Sequence, residues 1–397
     1  MANPLPIANL TVWRMAIPMR RKFKHATAER AVADPIVLAV ELADHTVGYG
    51  ETHPRPYVTG ESHEGVLATI RDVFVPILLE TRPANFGEAL EAAAALPTVD
   101  DTGRSITAAR AAVELAVLDA YGQAFNRSLE TLAGWLDDPQ LGPPGSRNTV
   151  RFSGVVSGVE PRRAAWSIRK MRLFGLRDFK LKVGDEQDDE RLDVAVRTLG
   201  GSLIQGRTSL RIDANGAWSL DQATERLRRW QTLPIACVEQ PLAKTDPQSW
   251  AALARRTTLP LMADESLVTP QDAEDLIVDH RASWFNIRIS KNGGLIPSMQ
   301  LAATARRHNM QYQLGCMVGE TSILSAAGRW FLQLVPNVRF AEGSFGSFLL
   351  RDDVIPKGIR FGFGGRWQPM TGPGLGLTIQ PETLDRLAGQ PPERIVF

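Results

Sequence analysis

Cysteine is scarce: Cys237 and Cys316 are the two in 397 residues. They stand far apart and without metal-ligand spacing, so no disulfide framework is indicated. Neither sign of charge is in excess. Lys plus Arg number 45 and Asp plus Glu 44, a net charge of +1. This balance argues against nucleic acid or an anionic membrane as the main partner, while leaving room for a local cationic pocket. No apolar run approaches the roughly 18–20 residues needed to span a bilayer. No apolar h-region precedes the charges of MANPLPIANLTVWRMAIPMRRKF, so no signal peptide is read and the expectation is a soluble cytoplasmic protein. No GxGxxG or Walker pattern opens a helix, which weakens a dinucleotide-binding reading. Solenoid-type repeats and low-complexity tracts are also missing.

What is present is a large apolar fraction, 44%, in a chain long enough for two or three domains. Residues 9–17 and 35–43 read as strands and Val47–Glu61 as a Gly- and Pro-punctuated loop leaving a strand. Residues 64–80, 86–95 and 103–123 have helical periodicity. The stretch DDPQLGPPGSRN, Asp137 to Asn148, is the best linker. Beyond it the rhythm changes. Short β-rich runs at 149–156, 177–182, 209–213, 235–239, 260–264, 283–289, 311–315 and 338–342 alternate with helical runs such as 160–174, 219–232, 246–257, 269–278 and 294–307. Eight strands separated by helices predict a parallel barrel or a doubly wound sheet, and about 200 residues suits a short (β/α) barrel. The Gly- and Pro-rich tail after Val354 breaks the rhythm and is expected to fold back onto the N-terminal part. The division expected is 1–140, 141–354 and a returning segment 355–397.

Polar residues end successive strands, and in a barrel the active site lies at that end. FKLKVG offers Lys180 and Lys182, LRIDANGAW Asp213 and Asn215, CVEQPL Glu239, LMADES Asp264, and NIRISKNGG Lys291. One strand-end Asp alone is ordinarily a helix N-cap, and one Lys ordinarily a solvated side chain. Three carboxylates on neighbouring strands converge, however, and converging carboxylates repel unless a cation lies among them. An oxygen-only set with room for water suits Mg²⁺, with Mn²⁺ as an alternative. Strand alternation puts Lys180 and Lys182 on one face, crowding two ammonium groups together.

The ordered set K-x-K, D-x-N, E-Q-P, D-E-S and K-N-G-G resembles the enolase superfamily, and within it the muconate-lactonizing-enzyme subgroup. GYGE around Glu51 resembles the end of that family's capping-domain hairpin, so the resemblance spans nearly the whole chain. It implies an α/β fold: a modified TIM barrel under an α+β capping domain built from both termini. It further implies that Asp213, Glu239 and Asp264 hold Mg²⁺, that Lys182 and Lys291 are an acid/base pair on opposite faces of the substrate, and that Lys180 lowers the pKa of Lys182 by like-charge proximity. The mandelate-racemase subgroup would place a catalytic His after the seventh strand, where this chain has Leu314, Gly315 and Cys316.

The chemistry is consistent with those roles. If a proton α to a carboxylate lies about 10 pK units above an ammonium group, the deficit is about 14 kcal/mol, more than a lysine alone can cover. A divalent cation stabilises the ene-diolate as charge develops, which is the known pattern of lysine or histidine bases working beside Mg²⁺.

The resemblance leaves the substrate open. Subgroup reactions include muconate cycloisomerisation, racemisation of N-acyl amino acids, dipeptide epimerisation and o-succinylbenzoate synthesis. Specificity is expected from the loop RRKFKHATAER with Phe23 and Lys24, from PRPYVTGE with Tyr57, and from GETS with Glu320 and EGSFGSF with Ser344, besides Asn215. The first loop is basic, which suits an anionic substrate. Dipeptide epimerases carry an Asp-x-Asp pair after the eighth strand; Glu342, Gly343 and Ser344 stand here instead. The sequence leans towards a cycloisomerase acting on a muconate-type dicarboxylate. Racemases or epimerases of N-acyl amino acids or dipeptides are the alternative, and a non-catalytic carboxylate binder the remote one. A small carboxylate is the expected partner, with a homo-oligomer left open.

Overall fold

The computed structural model describes residues 4–25, 28–141, 149–157 and 160–397, with backbone alone for 21–25 and 28–30. Most of the expected linker, 142–148, lies outside these residues.

The N-terminal part opens with β1 (Ile7–Arg14), β2 (Ile17–His25), β3 (Ala28–Ala33), β4 (Ile36–Leu42) and β5 (Val47–Thr52). β1, β4 and β5 form an antiparallel sheet with helix Thr107–Ala124 against it. All residues 107–122 of that helix are buried, as its Ala-rich composition permits. Two glycines let the helix and β5 meet. A Cβ on Gly48 would stand 2.0 Å from the Ala120 nitrogen, and one on Gly50 1.9 Å from the Ala112 carbonyl oxygen.

Two readings of this region are corrected. Residues 20–25 and 28–30, read as part of a loop, belong to the antiparallel strands β2 and β3, in which Phe23 pairs with Arg30 and Lys24 with Glu29. Their pairing is made by backbone, so the basic sequence carries no apolar alternation to announce it. Residues 47–52, read as the start of a loop, are the edge strand β5.

The second part is a parallel sheet of β6 (Gly154–Val156), β7 (Asp178–Lys182), β8 (Ser209–Asp213), β9 (Val238–Glu239), β10 (Leu261–Ala263), β11 (Trp284–Ile287) and β12 (Gln311–Leu314), in sequential order. Helices Pro161–Leu173, Leu220–Trp230, Pro247–Ala254, Pro270–Val278 and Leu295–Arg307 lie between strands where periodicity put them. The expected eighth strand, 338–342, is not a strand. A single residue closes the ring: Ala341 bridges both Phe152 and Leu314 in parallel. Ser153 N–H donates to the Ala341 carbonyl at 2.8 Å, and Glu342 N–H to that of Leu314 at 2.8 Å. Pairing cannot continue because Gly343 (φ 129°) and Ser344 (φ 50°) turn the chain out of extended geometry.

The tail returns to the N-terminal sheet. β13 (Glu393–Val396) pairs with β1, giving the order β13-β1-β4-β5. On the way, Leu375 N–H donates to Asp119 and its carbonyl accepts from Trp330.

Carboxylates of the N-terminal part also cap barrel helices. Glu114 accepts from Leu295 and Ile296 N–H at 2.8 and 2.7 Å, and Glu51 from Thr321 and Leu324 N–H at 2.8 and 3.0 Å. Unsatisfied N–H groups and the helix dipole make these ends hospitable to anions. Arg110 completes the clamp by donating to the Gly293 carbonyl. Gly293 and Gly294 need positive φ, and a Cβ on Gly294 would strike the Glu114 carboxylate at 2.2 Å. The K-N-G-G turn is therefore shaped by the capping helix.

Candidate active site

The polar strand ends gather at one end of the ring as an alternating arc of charge. On β7, Lys182 Nζ donates to Asp213 Oδ2 at 2.6 Å and to Asn215 Oδ1 at 2.7 Å. Lys180 on the same face is 3.3 Å from Asp213 Oδ2, 3.2 Å from Glu239 Oε1 and 2.7 Å from Glu342 Oε2. Arg288, just beyond β11, contacts Asp264 Oδ2 and stands 3.8 Å from Glu239 Oε1. Lys291 closes the arc, donating to Asp264 Oδ1 at 3.0 Å and to the carbonyls of Asp264 and Asn286 at 2.7 and 2.8 Å. The order is Lys182, Asp213, Lys180, Glu239, Arg288, Asp264, Lys291, anion between cations throughout.

Burial in this arc shifts the ionisations. Burial would raise Asp213, but Lys182 and Lys180 hold its carboxylate below the usual range. Glu239 is raised, by burial first and then by Asp213. Burial would lower Lys180, yet Glu239, Glu342 and Asp213 hold it above the ordinary lysine value, so it stays cationic. Lys291 is driven well below that value by burial and by Arg288.

Among the described residues no three His, Cys, Asp or Glu side chains form a ready metal-ligating group, because Lys180 and Arg288 stand between the carboxylates. The donors nonetheless fit a hard divalent cation. All three are carboxylates on consecutive strands, and each is already joined to a positive group. Around them, Glu265 Oε2, Asn286 Oδ1 and Gln313 Oε1 are buried acceptors without a hydrogen-bond partner. Asn286 and Gln313 spend their amide N–H groups on Glu239, at 2.7 and 3.4 Å. Arg211 Nε and Nη1 and Arg288 Nε are orphaned donors in the same region, so the fit to a cation rests on the three carboxylates and on these unpartnered oxygens rather than on an excess of acceptors.

A cleft of about 740 Å³ opens over the arc, lined by Lys180, Lys182, Asn215, Glu265, Arg288 and Glu320 among others. Tyr57 and Arg55 reach it from the loop after β5. Lys291, Asp213, Glu239 and Asp264 lie behind this lining, buried. The side chains of Phe23 and Lys24 lie outside the described residues. Ser344 is buried, its Oγ has no hydrogen-bond partner, and it borders a small void beside Gly343 rather than the main cleft.

Arg288, Glu265 and Arg211 were not singled out by the motifs. Arg211 donates to Glu342 at 2.8 Å and so helps Lys180 hold that carboxylate. The signal for two of them is in the sequence: the alternation that pairs Lys180 with Lys182 also pairs Arg211 with Asp213 and Asn286 with Arg288.

Glu320 gives the site a titration of its own. Its Oε1 accepts from Met317 N–H at 2.6 Å, but burial, reinforced by Glu51, raises its pKa from 4.5 to about 8. The unfolded chain releases this proton near pH 4.5 and the folded one near pH 8, so stability declines as pH rises between those values. Glu320→Gln removes that loss. Thermal melts should show the variant more stable than the parent at pH 8.5, by roughly 2–4 kcal/mol, with the gap closing towards pH 5. Parallel pH profiles would show that Glu320 is ionised in the folded protein throughout.

Comparison with known proteins gives two family matches: residues 163–383 match "Enolase C-terminal domain-like", and residues 8–134 the N-terminal domain of the mandelate racemase / muconate lactonizing enzyme family. Similar proteins include an L-Ala-D/L-Glu epimerase of Bacillus subtilis, 29% identical over 94% of this chain and 97% of that protein. Another is a muconate cycloisomerase of Acinetobacter lwoffii, 28% identical over 97% and 96%. Among solved structures, the N-succinyl Arg/Lys racemase of Bacillus cereus matches with a TM-score of 0.82 and 25% identity, over 98% of this chain and all of that one.

Proposed function

This chain belongs to the enolase superfamily as one of its isomerases, and on that premise we propose that it racemises or epimerises an α-substituted carboxylate through Lys182 and Lys291. The observation that carries this reading is the bracketing of the carboxylate arc by two lysines. Lys182 is bound to Asp213 at one end and Lys291 to Asp264 at the other, 2.6 and 3.0 Å away. Inverting a carbon centre needs one proton-transferring group on each face, and Lys182 on β7 and Lys291 just beyond β11, strands four apart in the ring, would supply them.

Lys182 meets the cleft directly, with Asp213 and Asn215 orienting its Nζ. Lys291 stands behind, held by three acceptors, and needs Asp264 and the Asn286 carbonyl to release it before it reaches a substrate. Lys180, locked among three carboxylates, stays in place as a fixed charge beside Lys182. Glu320, protonated at neutral pH, offers a hydrogen-bond donor to the cleft. Asp213, Glu239 and Asp264 would hold Mg²⁺, which when bound stabilises the negative charge that develops on the substrate carboxylate as the α-proton leaves.

One observation favours cycloisomerisation of a muconate-type dicarboxylate as a second reading: the lysines are not equivalent, one lining the cleft and one buried. That reaction asks one lysine to move a proton and the other mainly to balance charge. Both enantiomers of N-acyl amino acids, L,L- and L,D-dipeptides and cis,cis-muconate, incubated with the enzyme and Mg²⁺ in D₂O, distinguish the readings. Deuterium at the α-carbon with loss of configuration is the expected result; lactone formation from muconate alone selects the second reading. Absence of both defeats the proton-transfer assignment. Calorimetric titration with Mg²⁺ should give one site per chain, and Glu239→Gln should weaken it at least tenfold while the far-UV spectrum is retained. Unchanged affinity would remove Glu239 from the metal site.

A further inference from the structure

The cleft has a second half that the proton-transfer chemistry does not use. It runs from the arc past Val155 to the gap between helix Pro161–Leu173 and residues 345–361. Trp166, Met171, Phe174, Phe345, Phe348 and Phe361 line it, together with Ser167 and with Lys170, whose Nζ stands 5.2 Å from the centre of the Trp166 ring. Phe361 is the hub: its ring centroid is 5.0 Å from that of Phe348, 5.7 Å from Phe345 and 6.3 Å from Phe174. Interlocked rings make a wall that is rigid before any ligand arrives, and pre-formed apolar surface is what a site uses to select an apolar group.

Three further observations narrow the occupant. Trp166 is 59% and Phe348 40% exposed, although both are large apolar side chains. Such exposure concentrated along a cleft marks a binding surface rather than scattered variation. No acidic side chain among the described lining residues stands on the helix or on 345–361, so this half offers nothing to a substrate ammonium. Glu342, where a cation might otherwise be taken, is held by Lys180 and Arg211 at 2.7 and 2.8 Å. A compact dicarboxylate would also leave the aromatic half in contact with water alone.

Resting on the proton-transfer reading above, we propose that the substrate is an N-acylated α-amino acid with a bulky apolar arm, aromatic or long aliphatic, on its acyl group, and that the aromatic half of the cleft receives this arm. The carboxylate then lies over the arc and the arm carries no ammonium, as the absence of an acid in the aromatic half requires.

The test compares N-acetyl-L-alanine, N-phenylacetyl-L-alanine and N-octanoyl-L-alanine, with α-deuterium exchange followed in the parent enzyme and in Phe348→Ala and Trp166→Ala. Both replaced residues are exposed, so the variants retain the fold. The apolar-arm compounds should exceed N-acetyl-L-alanine by about 100-fold in kcat/KM, the scale on which apolar pockets discriminate. Each variant should cut that ratio at least tenfold. Equal kcat/KM across the three, or variants that slow all three alike, overturns the proposal. Binding of the same compounds is measured calorimetrically in parallel. Tight, arm-dependent binding lost in Phe348→Ala, but without exchange, supports the aromatic subsite and overturns the proton-transfer reading. Arm-independent binding overturns the subsite whatever the turnover.

Discussion

Lys182→Ala and Lys291→Ala should each lower turnover of the true substrate by about 10²–10⁴, the usual range for a general acid or base. Their difference is more informative than their size. In a racemase or epimerase both variants lose inversion, yet each still exchanges the α-proton of one stereoisomer through the lysine that remains. In a cycloisomerase one variant is far more damaged than the other. Stereoisomer-resolved exchange in D₂O, followed by NMR, separates the cases. Near-normal turnover in both variants would mean that these lysines are not the acid/base pair.

Gly50→Ala should destabilise the fold by several kcal/mol, about 3–5, near the upper end for a single substitution. The added Cβ would fall 1.9 Å from the Ala112 carbonyl oxygen and 2.8 Å from the Ala116 nitrogen. These are backbone atoms of a helix buried along its length, so no side chain can move aside, and helix and β5 must separate. Because Glu51 follows directly and caps helix Ser322–Leu334, the movement reaches the barrel. Denaturant titration should show the lost stability; a midpoint unchanged from the parent would mean that the helix can shift without cost. Gly134, exposed in helix Thr131–Leu136 with open space where a Cβ would go, is a suitable control: Gly134→Ala should not lower the midpoint.

What the sequence reveals follows from where each constraint lives. K-x-K, D-x-N, E-Q-P, D-E-S and K-N-G-G are legible because polar residues at the ends of otherwise apolar barrel strands have few structural uses, and the fold does bring them to one arc. The pairing of β2 with β3 is not legible, since main-chain pairing leaves no apolar alternation in R-R-K-F-K-H. The eighth strand is visible as a β-rich run, but its reduction to one bridging residue depends on the positive φ of Gly343 and Ser344. The burial of Lys291 cannot be read from its own segment at all. Lys291 is held by Asp264 and Asn286 from neighbouring strands, and the glycines after it are clamped from some 180 residues upstream by Glu114 and Arg110. GYGE carries a packing requirement and a helix cap in four residues, so it works as a family marker for reasons of fold before any of chemistry.

The pairing of β13 with β1 has a consequence for how the protein is born. β1, β4 and β5 leave the ribosome well before β13, so the outer edge of their sheet has no partner until some 350 residues more have been made. Throughout that interval β1 presents open main-chain N–H and C=O groups, to which another nascent chain could add itself. The barrel segments are therefore made while this sheet is still unfinished at one edge. Chaperone dependence should be sought during synthesis, before β13 has covered that edge.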